Sequence, residues 1–226
     1  MAGAPIITVD GPSGSGKGTI SRRLARQLGW RWLDSGALYR LVAYAGRQRG
    51  LAISDAAGHA YLALHLDVRF DEGSDGVERI WLDGVEVSVA IRGEDIGKGA
   101  SVVAAMPEVR AALLERQRAF AGAPGLVADG RDMGSVVFPA AELKIYLTAS
   151  ARERALRRHK QLKQKGLSAN LAALSLEIAE RDRRDMDRPI APLKPADDAV
   201  VVDSTSMTID AVVERVLQLA AARRLF

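Results

Sequence analysis

Apolar positions along this chain fall into short unbroken runs that alternate with longer stretches of helical spacing. Ile6-Ile7-Thr8-Val9 is the first run, and it leads through Asp10 into a loop with Gly11, Gly14, Gly16 and Gly18. Ile20, Leu24, Ala25 and Leu28 then recur every three or four residues, so a strand, a glycine loop and a helix follow in order. The short extended segment Arg31-Trp32-Leu33 and the mainly apolar runs at 126–129, 143–147 and 199–202 read as further strands. Helical patterns lie between them, at 37–44, 96–105, 107–120, from Ser150 onward, from Leu171 onward and at 209–222. Apolar strands separated by helices predict an α/β fold, a three-layer α/β/α arrangement on a five-stranded parallel sheet with right-handed crossovers. Ligands of such sheets bind at the carboxyl ends of the strands.

The pattern changes between about 50 and 100. Leu66 to Phe70 alternates, Asp71 to Gly76 is rich in turn residues, and Val77 to Leu82 alternates again before Asp83-Gly84 and Val85-Glu86-Val87. Three short antiparallel strands are expected, with Asp83-Gly84 as a two-residue hairpin turn that needs positive φ. This insertion, placed at 62–92, is expected to cover or reshape a substrate pocket within one domain spanning 1–226. Ser88 to Arg92 is the expected return.

The glycine loop carries the first chemistry. Glycines let successive backbone N–H groups turn around an anion, and the following helix points its positive end at the same place. The spacing from Gly11 to Gly16-Lys17 fits the G-x-x-x-x-G-K core of a phosphate loop for nucleoside triphosphates. Gly18 stands where that pattern carries Ser or Thr, and Thr19 supplies a hydroxyl one residue later. The ending Gly-Lys-Gly-Thr resembles the loop of nucleoside monophosphate kinases more than that of GTPases.

Composition narrows the classes. The 226 residues are 48% hydrophobic and 27% charged, ordinary values for a globular chain, and no apolar run reaches the length of a membrane span. The absence of cysteine removes disulfides, thiol catalysis and thiolate metal sites. His59, His65 and His159 have no ligand spacing, which argues against zinc. No leader is visible before the first strand, so a cytoplasmic protein is expected. The net charge of +4 fits either a nucleic-acid surface or arginines gathered around a small anion. Only 5% of residues are aromatic, and the arginines sit beside glycine turns and carboxylates, which favours the small anion.

Four further stretches carry candidate residues. Asp34-Ser35-Gly36 opens a helix through Tyr39 and Arg40; as structure alone these are a cap and a packing residue, while Arg40 is able to fork two N–H groups onto a phosphate. Leu126 to Asp129 is a short strand ending in a carboxylate, followed by Gly130-Arg131-Asp132. Asp129 reads either as a loop cap or as part of a magnesium shell, and the upstream phosphate loop favours the second. Arg131 suits a phosphate, and Asp132 suits an exocyclic amine such as cytosine N4. Arg181, Asp185 and Arg188 are spaced four and three apart, hence on one helical face, although alternating charge there also fits a solvated helix. Ser150 and Glu153 form a capping-box pattern ahead of a basic helix whose face reads either as solvated surface or, if it lies over the phosphate loop, as a lid near 150–168 hinged at Gly166 and Ser168.

Nearly the whole chain resembles bacterial cytidylate kinases, most specifically at Gly11 to Thr19, Asp34 to Arg40, Ala128 to Val137 and Glu180 to Arg188, and the antiparallel insertion suits the same family. The resemblance implies transfer of the ATP γ-phosphoryl group to CMP, with dCMP also accepted and Mg2+ required. It implies a central 6–9 strand flanked by 126–129 and 143–147. It assigns Gly11, Pro12, Ser13, Gly14, Ser15, Gly16, Lys17, Gly18, Thr19 and Arg157 to ATP, and Thr19 and Asp129 to the metal, mainly through water. Ser101, Arg110 and Asp132 are implied on the cytosine, Arg40 and Arg131 on the acceptor phosphate, with Ser35 and Tyr39 beside the acceptor. Arg181, Asp185 and Arg188 are implied around sugar and phosphates, and Lys17, Arg131, Arg181 and Arg188 as the catalytic cations. A monomer that binds neither nucleic acid nor membrane is expected. The rival readings are a regulatory or nucleic-acid-binding ATPase, or a kinase of another small acceptor.

Overall fold

The computed structural model describes residues 3–72, 78–164, 168 and 170–226. Its elements in order are β1 (Ile6–Asp10), α1 (Lys17–Leu28), β2 (Arg31–Asp34), α2 (Ser35–Gln48), α3 (Ala56–Leu64), β3 (Val68–Glu72), β4 (Glu78–Leu82) and β5 (Val85–Glu86). A 3-10 turn at Ala90–Arg92 leads to α4 (Glu94–Val103), α5 (Pro107–Arg118) and β6 (Leu126–Gly130). A π-type turn at Met133–Val137 then precedes β7 (Leu143–Thr148), α6 (Ala151–Gln164), α7 (Leu171–Met186), β8 (Val200–Asp203) and α8 (Ile209–Ala222).

Two compact units result: one is the chain up to Asp34 together with everything from Gln117, and the other is Ser35–Arg116. The first holds a five-stranded sheet in the order β2-β6-β1-β7-β8. Every pairing in it is parallel, with Val9 beside Asp129 on one side and Ile145 on the other. The central strand is therefore β1, and the loop after it opens at the carboxyl edge. Ile7, Val9, Leu24, Val127, Leu143, Ile145, Leu147, Val213 and Val216 form its core. Burial of each such side chain contributes about 1.5–3 kcal/mol, which fixes the strand ends that carry the polar groups.

In the second unit α2 packs on α4 and α3, and β3-β4-β5 make a three-stranded antiparallel sheet. Asp83 at φ 50° and Gly84 at φ 76° turn the β4–β5 hairpin, as the sequence predicts. Asp71 and Glu72 belong to β3 and not to the turn, whose remaining residues, with Val77, lie outside the described residues. The antiparallel pattern expected from about residue 50 is corrected by α3. Asp55 caps that helix, its Oδ1 accepting from Gly58 N at 2.8 Å, and the alanine-rich run behind it lacks the periodic apolar stripe that reveals a helix. No helix among the described residues is long and apolar enough to cross a membrane.

Candidate active site

The phosphate loop joins β1 to α1, and Gly16, at φ 94°, occupies the left-handed region where the helix begins. Its shape is set from outside. Arg154 Nη1 donates to Ser13 O at 3.1 Å, and Arg157 Nη1 donates to Ser15 O at 3.1 Å. Across a trans peptide the N–H points opposite to the C=O, so holding these two carbonyls turns the Gly14 and Gly16 N–H groups the other way. Ser15 Oγ is buried without a hydrogen-bond partner among the described residues, a polar atom suited to a ligand in this loop.

Lys17 Nζ donates to Pro12 O at 3.3 Å. Burial, then the charge of Arg131, lowers its pKa to about 7, with Asp129 opposing. An anion bound in the loop restores the charge. Gly18 lies close to Asp129: a Cβ there meets Asp129 Oδ2 at 3.2 Å, tighter than ordinary van der Waals contact. Thr19 is exposed.

Asp129 faces this point from the end of β6, and its register partner on β2 is Asp34. Burial first, then Asp34, pushes the Asp129 carboxyl up to about 7. Two carboxylates at adjacent strand ends fit a divalent cation, which relieves their repulsion. Asp10, at the end of β1, accepts from Met133 N at 2.9 Å and Gly134 N at 2.8 Å; burial raises it to about 6 although those bonds hold it down.

Arg131 Nε lies 2.9 Å from Asp185 Oδ2 in a largely buried pair. Burial alone would lower the guanidinium, but Asp185 outweighs it and raises it. Burial likewise pushes Asp185 up, and Arg131, then Arg181 and Arg188, outweigh that and keep it below the usual carboxylate range. Lys17, Asp129, Arg131, Arg181 and Asp185 are thus electrostatic neighbours. The expected helical face is corrected at one position. Because α7 ends at Met186, Arg188 follows the helix, and its Nε folds back to Asp185 O at 3.2 Å.

The basic helix α6 turns two of its arginines inward and leaves Arg152, Lys160 and Lys163 exposed. Arg154 is buried, donates through Nε to Ala149 O, and pairs with Asp182 of α7 at 2.6 Å. Arg157 bonds Glu153, Ser204 Oγ and Ser204 O besides the loop. The capping box is half formed. Ser150 Oγ accepts from Glu153 N at 3.2 Å, but the Glu153 carboxylate goes to Arg157, and Ser150 N donates to Thr205 Oγ1. Of the expected hinge, Gly166 lies outside the described residues.

The unit Ser35–Arg116 carries the other candidates. Ser35 and Tyr39 are buried on α2. Arg40 Nη1 donates to Ile91 O at 2.7 Å and Gly93 O at 3.3 Å. Arg110 Nη1 reaches Tyr39 Oη at 3.4 Å and Ala104 O at 3.5 Å. Ser101 Oγ is buried with no hydrogen-bond partner among the described residues, as a ligand-facing hydroxyl would be. Asp10, Arg154, Asp182 and Ser204 were not singled out by sequence. The signal for Arg154 was its spacing of three from Arg157, which puts both on one face of α6.

A family model described as cytidylate kinase matches residues 7–222. The cytidylate kinase of Stutzerimonas stutzeri is 58% identical over 222 residues, covering 98% of this chain and 97% of that protein. That of Nitrosococcus oceani is 59% identical over 214 residues, covering 94% of each. Among solved structures, TT1252 from Thermus thermophilus aligns over 98% of both chains at 21% identity and a TM-score of 0.46. With the family's model matched over residues 7–222 and relatives alike over nearly all of their length, the chain belongs to the cytidylate kinase family.

Proposed function

We propose that the chain transfers the γ-phosphoryl group of ATP to CMP, giving ADP and CDP, and accepts dCMP in the same way. Its family membership supports this, and the observation that carries it is the Arg131-Asp132 pair at the carboxyl end of β6, adjacent to the strand that feeds the phosphate loop. A phosphate-binding cation and an amine-reading carboxylate then sit together beside the donor loop. No observation favours a regulatory or nucleic-acid-binding ATPase.

An oxygen of the CMP phosphate attacks the γ-phosphorus in line; the bond from that phosphorus to the β,γ-bridging oxygen breaks, and ADP leaves with the electron pair. Positioning and cations do most of this work, since charge spreads over the transferring oxygens. Lys17 and the turned-in N–H groups of Gly14 and Gly16 hold the donor phosphates. Arg131, oriented by Asp185, takes the acceptor phosphate, with Arg181 and Arg188 balancing charge around it. Asp129 and Asp34, with Thr19, are the residues that would hold Mg2+, which supplies charge neutralisation at the phosphates. Arg157 is assigned to shaping the ATP site, because its donors go to the loop and to Ser204. Asp132, Ser101 and Arg110 are assigned to the cytosine, Arg40 to the acceptor phosphate, and Ser35 and Tyr39 to the acceptor's neighbourhood.

Coupled ADP release with Mg-ATP, offering CMP, dCMP, UMP, AMP and shikimate in parallel, tests the proposal. CMP and dCMP turning over well above the rest is the expected result. A different preferred acceptor refutes the base assignments, and no turnover refutes the kinase reading. Asp132→Ala is expected to raise KM for CMP far more than for ATP.

A further inference from the structure

Asp10 takes no part in the chemistry proposed above, yet both of its oxygens are engaged by backbone amides. It is 6% exposed, and its two oxygens accept separately from Met133 N at 2.9 Å and Gly134 N at 2.8 Å. These are the first two amides after Asp132. The Asp132 carbonyl accepts from Val136 N at 2.9 Å and Val137 N at 3.2 Å, and Phe138 N closes the turn on Met133 O at 2.7 Å. The peptide group joining Asp132 to Met133 is therefore tied at both ends, its oxygen by the turn and its N–H by Asp10. The segment also lies hard against β1, since a Cβ on Gly134 meets Thr8 Oγ1 at 2.7 Å. Only a carboxylate offers two acceptor oxygens to two neighbouring N–H groups. Burial works against that charge, so the carboxylate stands here at a cost to its own solvation.

We propose that Asp10 is a positioning residue for acceptor recognition: by clamping the Met133 and Gly134 amides it sets the backbone from which Asp132 presents its carboxylate to the acceptor's base. The inference rests on the assignment of Asp132 to the exocyclic amine. It also places one contributor to acceptor choice on the central strand, one residue before the loop that holds the donor.

The test is steady-state kinetics of wild type, Asp10→Asn, Asp132→Ala and the double variant, with Mg-ATP and either CMP or UMP. Asparagine keeps one acceptor and turns an NH2 toward the second amide. That is expected to lower kcat/KM for CMP roughly 10- to 100-fold, the size of one buried donor left unsatisfied. KM for ATP is expected to stay within about threefold, and the preference for CMP over UMP to shrink. In the Asp132→Ala background the same change is expected to add little, because residues acting through one another are not additive. Full additivity, an equal loss for ATP and CMP, or an unchanged CMP/UMP preference overturns the proposal, since a purely structural role gives those results. Asp132→Ala alone reports on the assignment beneath it: a silent variant removes both, whereas an effective one with additive Asp10→Asn removes only the role of Asp10. Should Asp10→Asn not fold, Asp10→Glu, which keeps both oxygens one methylene farther out, carries the same comparison.

Discussion

Removing the carboxylate of Asp185 separates its two duties, because it is the partner of Arg131 as well as a candidate for the acceptor's sugar. The pair is close, at 2.9 Å, and withdrawn from water: Asp185 has a side-chain exposure of 6% and Arg131 of 17%. Breaking a buried pair from one side costs about 3–5 kcal/mol, since the remaining charge keeps its desolvation and loses its partner. Two features bring the figure down here. Asn keeps an acceptor for Arg131 Nε, and Arg131 Nη1 retains the Gly130 carbonyl at 3.2 Å. Asp185→Asn is therefore expected to destabilise by roughly 2–3 kcal/mol in urea unfolding at pH 7. The pH dependence follows from the direction of the shift. A carboxylate held below its usual value of 3.8 contributes in full above that value and loses its contribution as pH falls through the folded one. The gap between wild type and variant is thus expected to be constant from pH 8 to 5 and to close below about pH 4. In kinetics, a loosened Arg131 lowers kcat for CMP and dCMP alike. A stability loss below about 0.5 kcal/mol, or a gap that widens from pH 8 to 5, refutes the reasoning.

Asp129 carries the opposite sign. Its pKa is raised to about 7, so the folded protein holds a proton that the unfolded chain has already released, and stability falls as pH rises from about 4 to 7. Asp129→Asn is expected to flatten that fall and to leave the free protein more stable at pH 8 by at least about 1 kcal/mol, while weakening Mg-ATP use; an unchanged urea midpoint from pH 5 to 8 contradicts the assignment. Gly18→Thr restores the common loop motif but places Cβ 3.2 Å from Asp129 Oδ2, so kcat/KM for ATP is expected to fall about tenfold where the motif alone predicts a gain. Arg154→Ala strips the partner from Asp182 and the donor from Ser13 O, and is expected to cost about 3–5 kcal/mol and to raise KM for ATP; an unchanged melting temperature contradicts it.

The sheet was legible because its inner strands β1, β6 and β7 are almost wholly buried and read as largely apolar runs, while α1 shows Ile20, Leu24 and Ala25 on a single stripe. The phosphate loop was legible because glycines, Lys17 and a preceding strand are local features. Contacts distant in sequence were not. Arg154 and Arg157 reach carbonyls more than 140 residues away, and Asp10 reaches amides over 120 residues on. Such partners follow from strand order, which packing decides and local pattern does not. The helix α3 was hidden because its alanines and glycine show no stripe, and the π-type turn after Asp132 because its bonds span five residues and leave no periodic trace. Arg188 was misplaced on the α7 face because spacing alone does not reveal where a helix stops.

The excess of basic residues takes on a different meaning once these partners are known. A formal charge of +4 invited a choice between a nucleic-acid surface and cations aimed at a small anion. Two of the arginines around the loop do neither directly. Arg154 and Arg157 hold carbonyl oxygens, which turns the peptide N–H groups of Gly14 and Gly16 the other way. An arginine that grips a carbonyl converts its own charge into the orientation of a peptide dipole, and that dipole needs no reorganisation when a phosphate arrives. A mobile side chain aimed straight at the phosphate would have to be ordered on binding, at about 0.5–1.5 kcal/mol for each one fixed. The loop is thus preorganised by cations behind it, and Lys17, its charge weakened by burial and by Arg131, is the group left to respond to the anion itself.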